Sequence, residues 1–250
     1  MTGAFFVALG NGRFRATEHT VGPWDPGHQH AGPAAALLAG MLDTRADMAL
    51  ARITLEILAP IPLGEVEVAV EVERPGRSVE LLAAELRAGG RTVVTARAWR
   101  VRRADERVAP AHVPPPLPAT AQPSPPGFGE FGYARAVEWR WAEGGWLVPG
   151  PAKVWTKLLV QVVEGKEPTP LQRVLVVADS GNGVSAALAW NRYVFVNTEL
   201  SVHLLRPPAG EWVCLEARTE VEEAGLASSV LSDLSGPVAR GAQALFVARR

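Results

Sequence analysis

Ile53-Thr54-Leu55-Glu56-Ile57-Leu58-Ala59-Pro60-Ile61-Pro62-Leu63-Gly64 reads as an alternating strand that runs into a proline turn. Leu200-Ser201-Val202-His203-Leu204-Leu205-Arg206-Pro207-Pro208-Ala209-Gly210 is laid out in the same way. The likeness extends outward, to Ile53–Arg103 in one case and Leu200–Arg250 in the other. Each stretch continues through alternating strands, passes a glycine turn (Gly89-Gly90; Gly236-Pro237) and closes on an alanine-rich strand ending in Arg-Arg. With one gap in the turn, Pro60 falls on Pro207 and Gly64 on Gly210. Two copies of one small α+β unit predict a pseudo-dimer whose site lies where the copies meet. Residues that are polar in one copy and apolar in the other become the candidates for chemistry.

Working outward, the boundary between the copies is a proline-dominated stretch, residues 109–127, with Pro114-Pro115-Pro116 and Pro125-Pro126. Such a segment cannot form a helix or a central strand, so it reads as a stiff linker between an N-terminal unit, 1–108, and a C-terminal unit, 128–250. In the first unit, Ala4–Val7 and Gly12–Thr20 read as strands. The loop from Gly22 to Gly32 leads to an apolar helix over Pro33–Thr44, which its all-round apolarity predicts to be buried. Four alternating segments follow: Arg52–Leu58, Glu65–Arg74, Ser78–Ala88 and Arg91–Arg103. In the second unit, Phe131–Trp141 and Lys153–Val163 read as strands. Thr169 caps a helix with Pro170 at its first position and Leu171–Ala178 as its body. Arg192–Leu205, Trp212–Val221, Ala227–Ser232 and Val238–Arg249 complete the unit. A long antiparallel sheet wrapped around one central helix, made twice, is the economical arrangement.

Composition narrows the partners. At 250 residues with 48% hydrophobic and 20% charged side chains, the chain has the make-up of a soluble globular protein. A net charge of −1 provides no electrostatic reason to expect nucleic acid or an anionic membrane as partner. The single cysteine, Cys214, cannot form an internal disulfide and reads as a packed thiol. Cysteine poverty and an N-terminus without a basic start and long apolar core fit a cytoplasmic location. No apolar run approaches membrane-spanning length. No Gly-x-Ser-x-Gly elbow and no phosphate-binding loop is present. His28 and His30, with no Cys or second His cluster, do not make a metal site.

The layout resembles the double hotdog acyl-CoA thioesterases of the type II, TesB-like family over essentially the whole chain. The residues that carry the resemblance are Leu175-Val176-Val177-Ala178-Asp179, then Val202-His203-Leu204-Leu205-Arg206-Pro207 with Glu211-Trp212, and Ala239-Arg240-Gly241-Ala242-Gln243-Ala244. The resemblance implies two hotdog units in one polypeptide and a hydrolytic site in the second. There an Asp, a Ser or Thr and a Gln hold and activate a water. Asp179 matches the aspartate and Gln243 the glutamine. The hydroxyl position falls on Asn197, whose amide can hydrogen-bond a water but is not a hydroxyl. Neighbouring Thr198 points to the opposite face of the strand unless a bulge re-aims it. His30-Ala31-Gly32 resembles the family's loop that holds the substrate's oxyanion, where free N–H groups at a helix start polarise a thioester carbonyl.

The residues themselves admit two readings. Asp179 ends an apolar helix, where burial and the negative end of the dipole raise its pKa towards a general base; alternatively it hydrogen-bonds its own Gly181-Asn182-Gly183 turn. Gln243 is either a site residue or a surface-facing strand residue. With the Arg-Arg pairs aligned, Gln243 meets Ala96 and Asn197 meets Leu50, polar against apolar in each case. The expected reaction is hydrolysis of an acyl-CoA without metal or redox cofactor. Its rivals are a non-catalytic acyl-CoA-binding protein and a hotdog enoyl-CoA hydratase, which would need a His–Asp or His–Glu pair. Arg206 is open to two uses, CoA phosphate binding or a structural ion pair. Some of the tryptophans are candidates to line an acyl channel. Exposed sheet edges predict a homo-oligomer, a dimer or larger.

Overall fold

The structure is a computed structural model that describes residues 3–106, 108, 111–125 and 130–250. The first two residues and positions 109, 110, 126 and 127 of the expected linker lie outside the described residues. In chain order the first half has β1 (Ala4–Gly10), β2 (Arg13–Ala16), a 3-10 turn (Glu18–Thr20), α1 (Ala31–Leu42), β3 (Met48–Ile57), β4 (Glu65–Arg74), β5 (Val79–Ala88) and β6 (Arg91–Arg102). The second half has α2 (Gly132–Arg135), β7 (Val137–Glu143), β8 (Ala152–Leu158), β9 (Gln161–Val163), α3 (Pro170–Ala178) and α4 (Gly181–Val184). It ends with β10 (Tyr193–Asn197), β11 (Glu199–Leu204), β12 (Trp212–Val221), β13 (Gly225–Asp233) and β14 (Gly236–Arg249).

All these strands join one sheet in the order β7-β8-β12-β13-β14-β11-β3-β6-β5-β4-β2-β1-β9, with β10 also on β14. Every pairing is antiparallel except β1 with β9, which is parallel. That pair closes the architecture. β8 lies near one end of the strand order and β9 at the other, yet only Leu159 and Val160 separate them in the chain. The sheet therefore curls until its ends approach each other around the helices.

The two quoted stretches meet at its centre. β11 pairs with β3 in the register Leu200↔Leu55, Ser201↔Thr54 and Val202↔Ile53. Aligning Arg103 with Arg250 sets Ile53 on Leu200, Thr54 on Ser201 and Leu55 on Val202. Ile53 thus pairs with the counterpart of Leu55 and Leu55 with that of Ile53, while Thr54 and Ser201, each other's counterparts, pair together with their hydroxyls 3.1 Å apart. A pseudo-twofold axis runs between them, where the halves join into one sheet.

The helices sit inside. Ala34, Ala35, Ala36, Leu38 and Ala39 of α1 are fully buried, as the helix's all-round apolarity requires. α3 starts with a capping box: the Thr169 hydroxyl accepts from the Gln172 N–H, and the Gln172 side chain accepts from the Thr169 N–H. The two helices cross antiparallel at close range. Gln172 Nε2 donates to Ala36 O across the crossing, and a Cβ on Gly32 would stand 2.1 Å from Val176 O.

Several expected boundaries are corrected. The helix expected over Pro33–Thr44 begins at Ala31, with His30 as N-cap. The segment expected to be a strand over Phe131–Trp141 opens as the α2 turn, because Gly132 nests against the 3-10 turn, where a Cβ would meet Glu18 O at 1.7 Å. Lys153–Val163 breaks into β8 and β9, Arg192–Leu205 breaks at Thr198 into β10 and β11, and Gly12–Thr20 leaves the sheet at Ala16. Residues 111–125 contain no helix or strand; Trp155 Nε1 donates to Pro115 O and Arg140 to Pro118 O and Ala119 O. Among the described residues no helix is long and apolar enough to cross a membrane.

Candidate active site

The antiparallel crossing brings the N-terminus of α1 against the C-terminus of α3, and this decides the site. Asp179 caps the end of α3 and is 6% exposed. Gln243, on β14 and 2% exposed, reaches it from the sheet: its Nε2 lies 3.0 Å from Asp179 O and 3.2 Å from Oδ1. Asn197, the last residue of β10, donates from Nδ2 to the same Oδ1 at 2.8 Å. The three residues expected from the sequence therefore converge. Thr198 does not take the hydroxyl's place; it is exposed and bonds Ala244 O.

A fourth residue completes the cluster. His30 Nδ1 lies 3.0 Å from Asp179 Oδ2, and the ring stacks on Tyr133 with centroids 3.8 Å apart and planes 8° off parallel. Nδ1 is also 3.1 Å from the Gly32 N–H. One ring nitrogen cannot donate and accept at once. A carboxylate has no proton to give, so Nδ1 carries the hydrogen and donates to Asp179, and the Gly32 N–H is left to point at the carboxylate as well. The imidazole's other nitrogen, Nε2, then has a lone pair and no protein partner among the described residues. His30 was expected only as part of the substrate loop. Its pairing with Asp179 had no signal in the sequence beyond its place at a helix start.

The expectation of a raised Asp179 pKa is corrected. Burial alone pushes the carboxyl up, but the electrostatic pull of the His30 ring, hydrogen bonds from His30 and Asn197 and the Gly32 N–H together outweigh it. The net direction is down, so Asp179 is ionised at neutral pH. The sequence showed only the negative end of α3; the positive end of α1 arrives through the crossing.

Neighbouring polar groups hold this geometry. The Asn182 N–H donates to Gln243 Oε1 at 2.9 Å, which fixes the amide so that its NH2 faces Asp179. Tyr133, 2% exposed, donates to Val176 O at 2.9 Å and accepts from the Ser180 hydroxyl at 2.7 Å. Burial raises its phenol far above the usual range.

A cavity of about 530 Å³ opens beside the cluster. His30, Tyr133 and Ser180 line it at the inner end, with Trp139, Trp141, Trp146, Val184, Leu188 and Trp190 along its walls. Trp146 packs edge-on against both Trp139 and Trp141 at 5.4 Å. Asp179, Asn197 and Gln243 are not among the residues that line it.

Other candidates resolve otherwise. Arg206 binds Asp233 through two contacts of 2.5 and 2.7 Å, the structural ion pair rather than a free cation. His203 is exposed on β11. Cys214 is fully buried, and burial raises its thiol well above the usual range. Among the described residues no group of three or more His, Cys, Asp or Glu stands ready to hold a metal ion.

Comparison with known proteins agrees on both halves. Residues 20–101 match the acyl-CoA thioesterase N-terminal domain, and residues 105–247 match the acyl-CoA thioesterase C-terminal domain. No curated protein matches the chain. Among solved structures, a putative thioesterase II from Thermobifida fusca YX shares 17% identity and a TM-score of 0.74, covering 98% of this chain and 95% of that one. A conserved protein of unknown function with hot dog fold from Alicyclobacillus acidocaldarius shares 15% and 0.71, covering 96% and 95%. The acyl-CoA thioesterase II TesB2 from Mycobacterium marinum shares 13% and 0.67, covering 98% and 95%. At such identities these likenesses speak for the fold.

Proposed function

The chain belongs to the acyl-CoA thioesterase family and is an acyl-CoA thioesterase by class, and from that premise we propose that it hydrolyses acyl-CoA thioesters at the cluster of Asp179, Asn197 and Gln243. The single observation that carries this reading is the convergence of Asn197 and Gln243 on one Asp179 oxygen, at 2.8 and 3.2 Å, beside an apolar cavity. In this reading the chain is a double hotdog: units 1–108 and 128–250 joined by the linker 109–127. The acyl chain occupies the tryptophan-lined cavity with the thioester at its inner end. The cluster activates a water for direct attack on the carbonyl, and N–H groups near Gly32, at the start of α1 with His30 and Ala31, hold the oxyanion. Proton transfer and charge stabilisation by side chains and backbone suffice, so no metal or redox cofactor is required. The polypeptide works in the cytoplasm as a homo-oligomer, a dimer or larger.

A thiol-release assay with acyl-CoAs of graded chain length tests this. Wild-type protein is expected to release CoA, and Asp179→Ala to lose about 10²- to 10⁴-fold in kcat while still binding the ester. Binding without release by the wild type would reassign the chain as an acyl-CoA-binding protein. The His30–Asp179 pair, at 3.0 Å, is the observation that favours a second reading, enoyl-CoA hydration. Water addition to an enoyl-CoA without thiol release would establish it.

A further inference from the structure

We propose that His30 is the residue that takes the proton from the hydrolytic water, so that Asp179 activates that water through the imidazole. This rests on the thioesterase reading of the same site.

Four observations carry it. First, His30 touches both the carboxylate and the cavity, whereas Asp179, Asn197 and Gln243 are not among the residues that line the cavity. A water beside a thioester in that cavity meets the imidazole first. Second, the carboxylate is already crowded: Oδ1 accepts from Asn197 and Gln243, and Oδ2 faces His30 Nδ1 and the Gly32 N–H. Few lone-pair directions remain for a water. Third, Nδ1–H pointing at Asp179 fixes the tautomer with the Nε2 lone pair free, the arrangement a base needs. Fourth, the ring is held flat against Tyr133 and its residue caps α1, so it does not swing. Among the described residues, the ionisable groups in contact with the ring are Asp179 and the Tyr133 phenol.

The step balances. Nε2 takes one proton from water as the water oxygen bonds the thioester carbon, which leaves an oxyanion and an imidazolium paired with Asp179. The oxyanion collapses, the C–S bond breaks, and Nε2–H returns the proton to the departing sulfur. The products are the free acid and the CoA thiol.

His30→Asn tests the assignment, because the Asn amide stands where Nδ1 stood. It can still cap α1 and bond Asp179, but it has no counterpart of Nε2. The expected result is a fall in kcat of about 10²- to 10⁴-fold with KM changed by less than about threefold. The acid limb of the wild-type kcat/KM profile disappears in the variant. A variant with kcat within about threefold of wild type, or one that keeps the acid limb, overturns the proposal. If the variant does not fold, the wild type serves: carbethoxylation of His30, mapped by mass spectrometry, should track loss of activity and be slowed by a CoA thioester. Full modification with activity retained overturns it equally. A wild type that hydrolyses no acyl-CoA sinks the thioesterase reading; an active wild type with an active His30→Asn variant sinks the histidine alone.

Discussion

The C-terminal ends of the two long helices are related by the pseudo-twofold axis, and they have been put to opposite uses. At the end of α1, β6 sends in Arg100, which donates to Leu42 O and to the Thr44 hydroxyl, both at 3.1 Å. Glu80 holds that guanidinium through contacts of 2.6 and 2.9 Å, and Arg45 adds a further contact to Glu80 at 2.8 Å. At the end of α3, β14 sends in Gln243 to Asp179 O. One end pairs a cation with a carboxylate, so the charges satisfy each other and the place is closed. The other surrounds a carboxylate with neutral amides and an imidazole, next to a cavity, and leaves a ring nitrogen without a protein partner among the described residues. A buried charge becomes available for chemistry when its partners are weaker than a full counter-ion.

The largest effects expected come from breaking each end in turn. Asp179→Asn preserves shape and should lower kcat by about 10²- to 10⁴-fold in the thiol-release assay, with a loss of stability limited to what the carboxylate's own contacts contribute. Arg100→Met should do the reverse. It leaves Glu80 with Arg45 alone and the Leu42 carbonyl without the guanidinium, and should lower the melting temperature by roughly 10 °C, with kcat of the folded enzyme unchanged. If Arg100→Met removed activity without unfolding the protein, the two ends would not be separable as structure and site.

This contrast also shows what the sequence could and could not reveal. The proline turns after Ile53–Leu58 and Leu200–Leu205 and the buried alanine-rich helix are local or periodic signals, and the structure has them. Asp179, Asn197 and Gln243 were legible only through the resemblance to a family; the structure brings their side chains together, and their roles are a proposal. Contacts made by the helix crossing are not local. His30 and Asp179 are in different halves, and nothing in the spacing of either announces the other. The same blindness produced the wrong direction for the Asp179 carboxyl, since the N-terminus of α1 contributes only once the fold exists. Phe131–Ala136 alternates like a strand, yet Gly132 marks a close approach to the 3-10 turn, which periodicity does not register. Gly32 carried a usable clue: a glycine in the first turn of an otherwise alanine-rich helix invites a close neighbour.

Gly32→Ala is accordingly the next largest test. The new Cβ would lie 2.1 Å from Val176 O, so α1 must back away from α3. A stability loss of about 1–3 kcal/mol is expected from the forced displacement. Because the shift also moves His30 from Asp179, kcat should fall more than KM rises. By contrast, a Cβ on Gly183 would meet nothing within 4 Å, so Gly183→Ala should leave both stability and rate nearly unchanged. Denaturant titration and steady-state kinetics on the two variants make the comparison.

The smallest effect separates the helix ends by the sign of their response to acid. Asp179 is held below the ordinary carboxylate range, whereas the exposed Asp43 at the end of α1 is raised by desolvation, with Arg103 and Arg100 opposing. An unfolded aspartate titrates at about 3.9. For Asp179 the unfolded chain binds the proton first as pH falls. The stability it contributes is therefore complete above about pH 4 and is lost as pH drops through its folded value. For Asp43 the folded chain binds first, so its charged form weakens the fold at neutral pH and acid relieves that strain. Asp179→Asn should flatten the stability lost between about pH 5 and about pH 3, and Asp43→Asn should steepen it slightly, because solvent screens the exposed group. Slopes of the same sign in both variants would mean that the two carboxylates occupy equivalent environments after all.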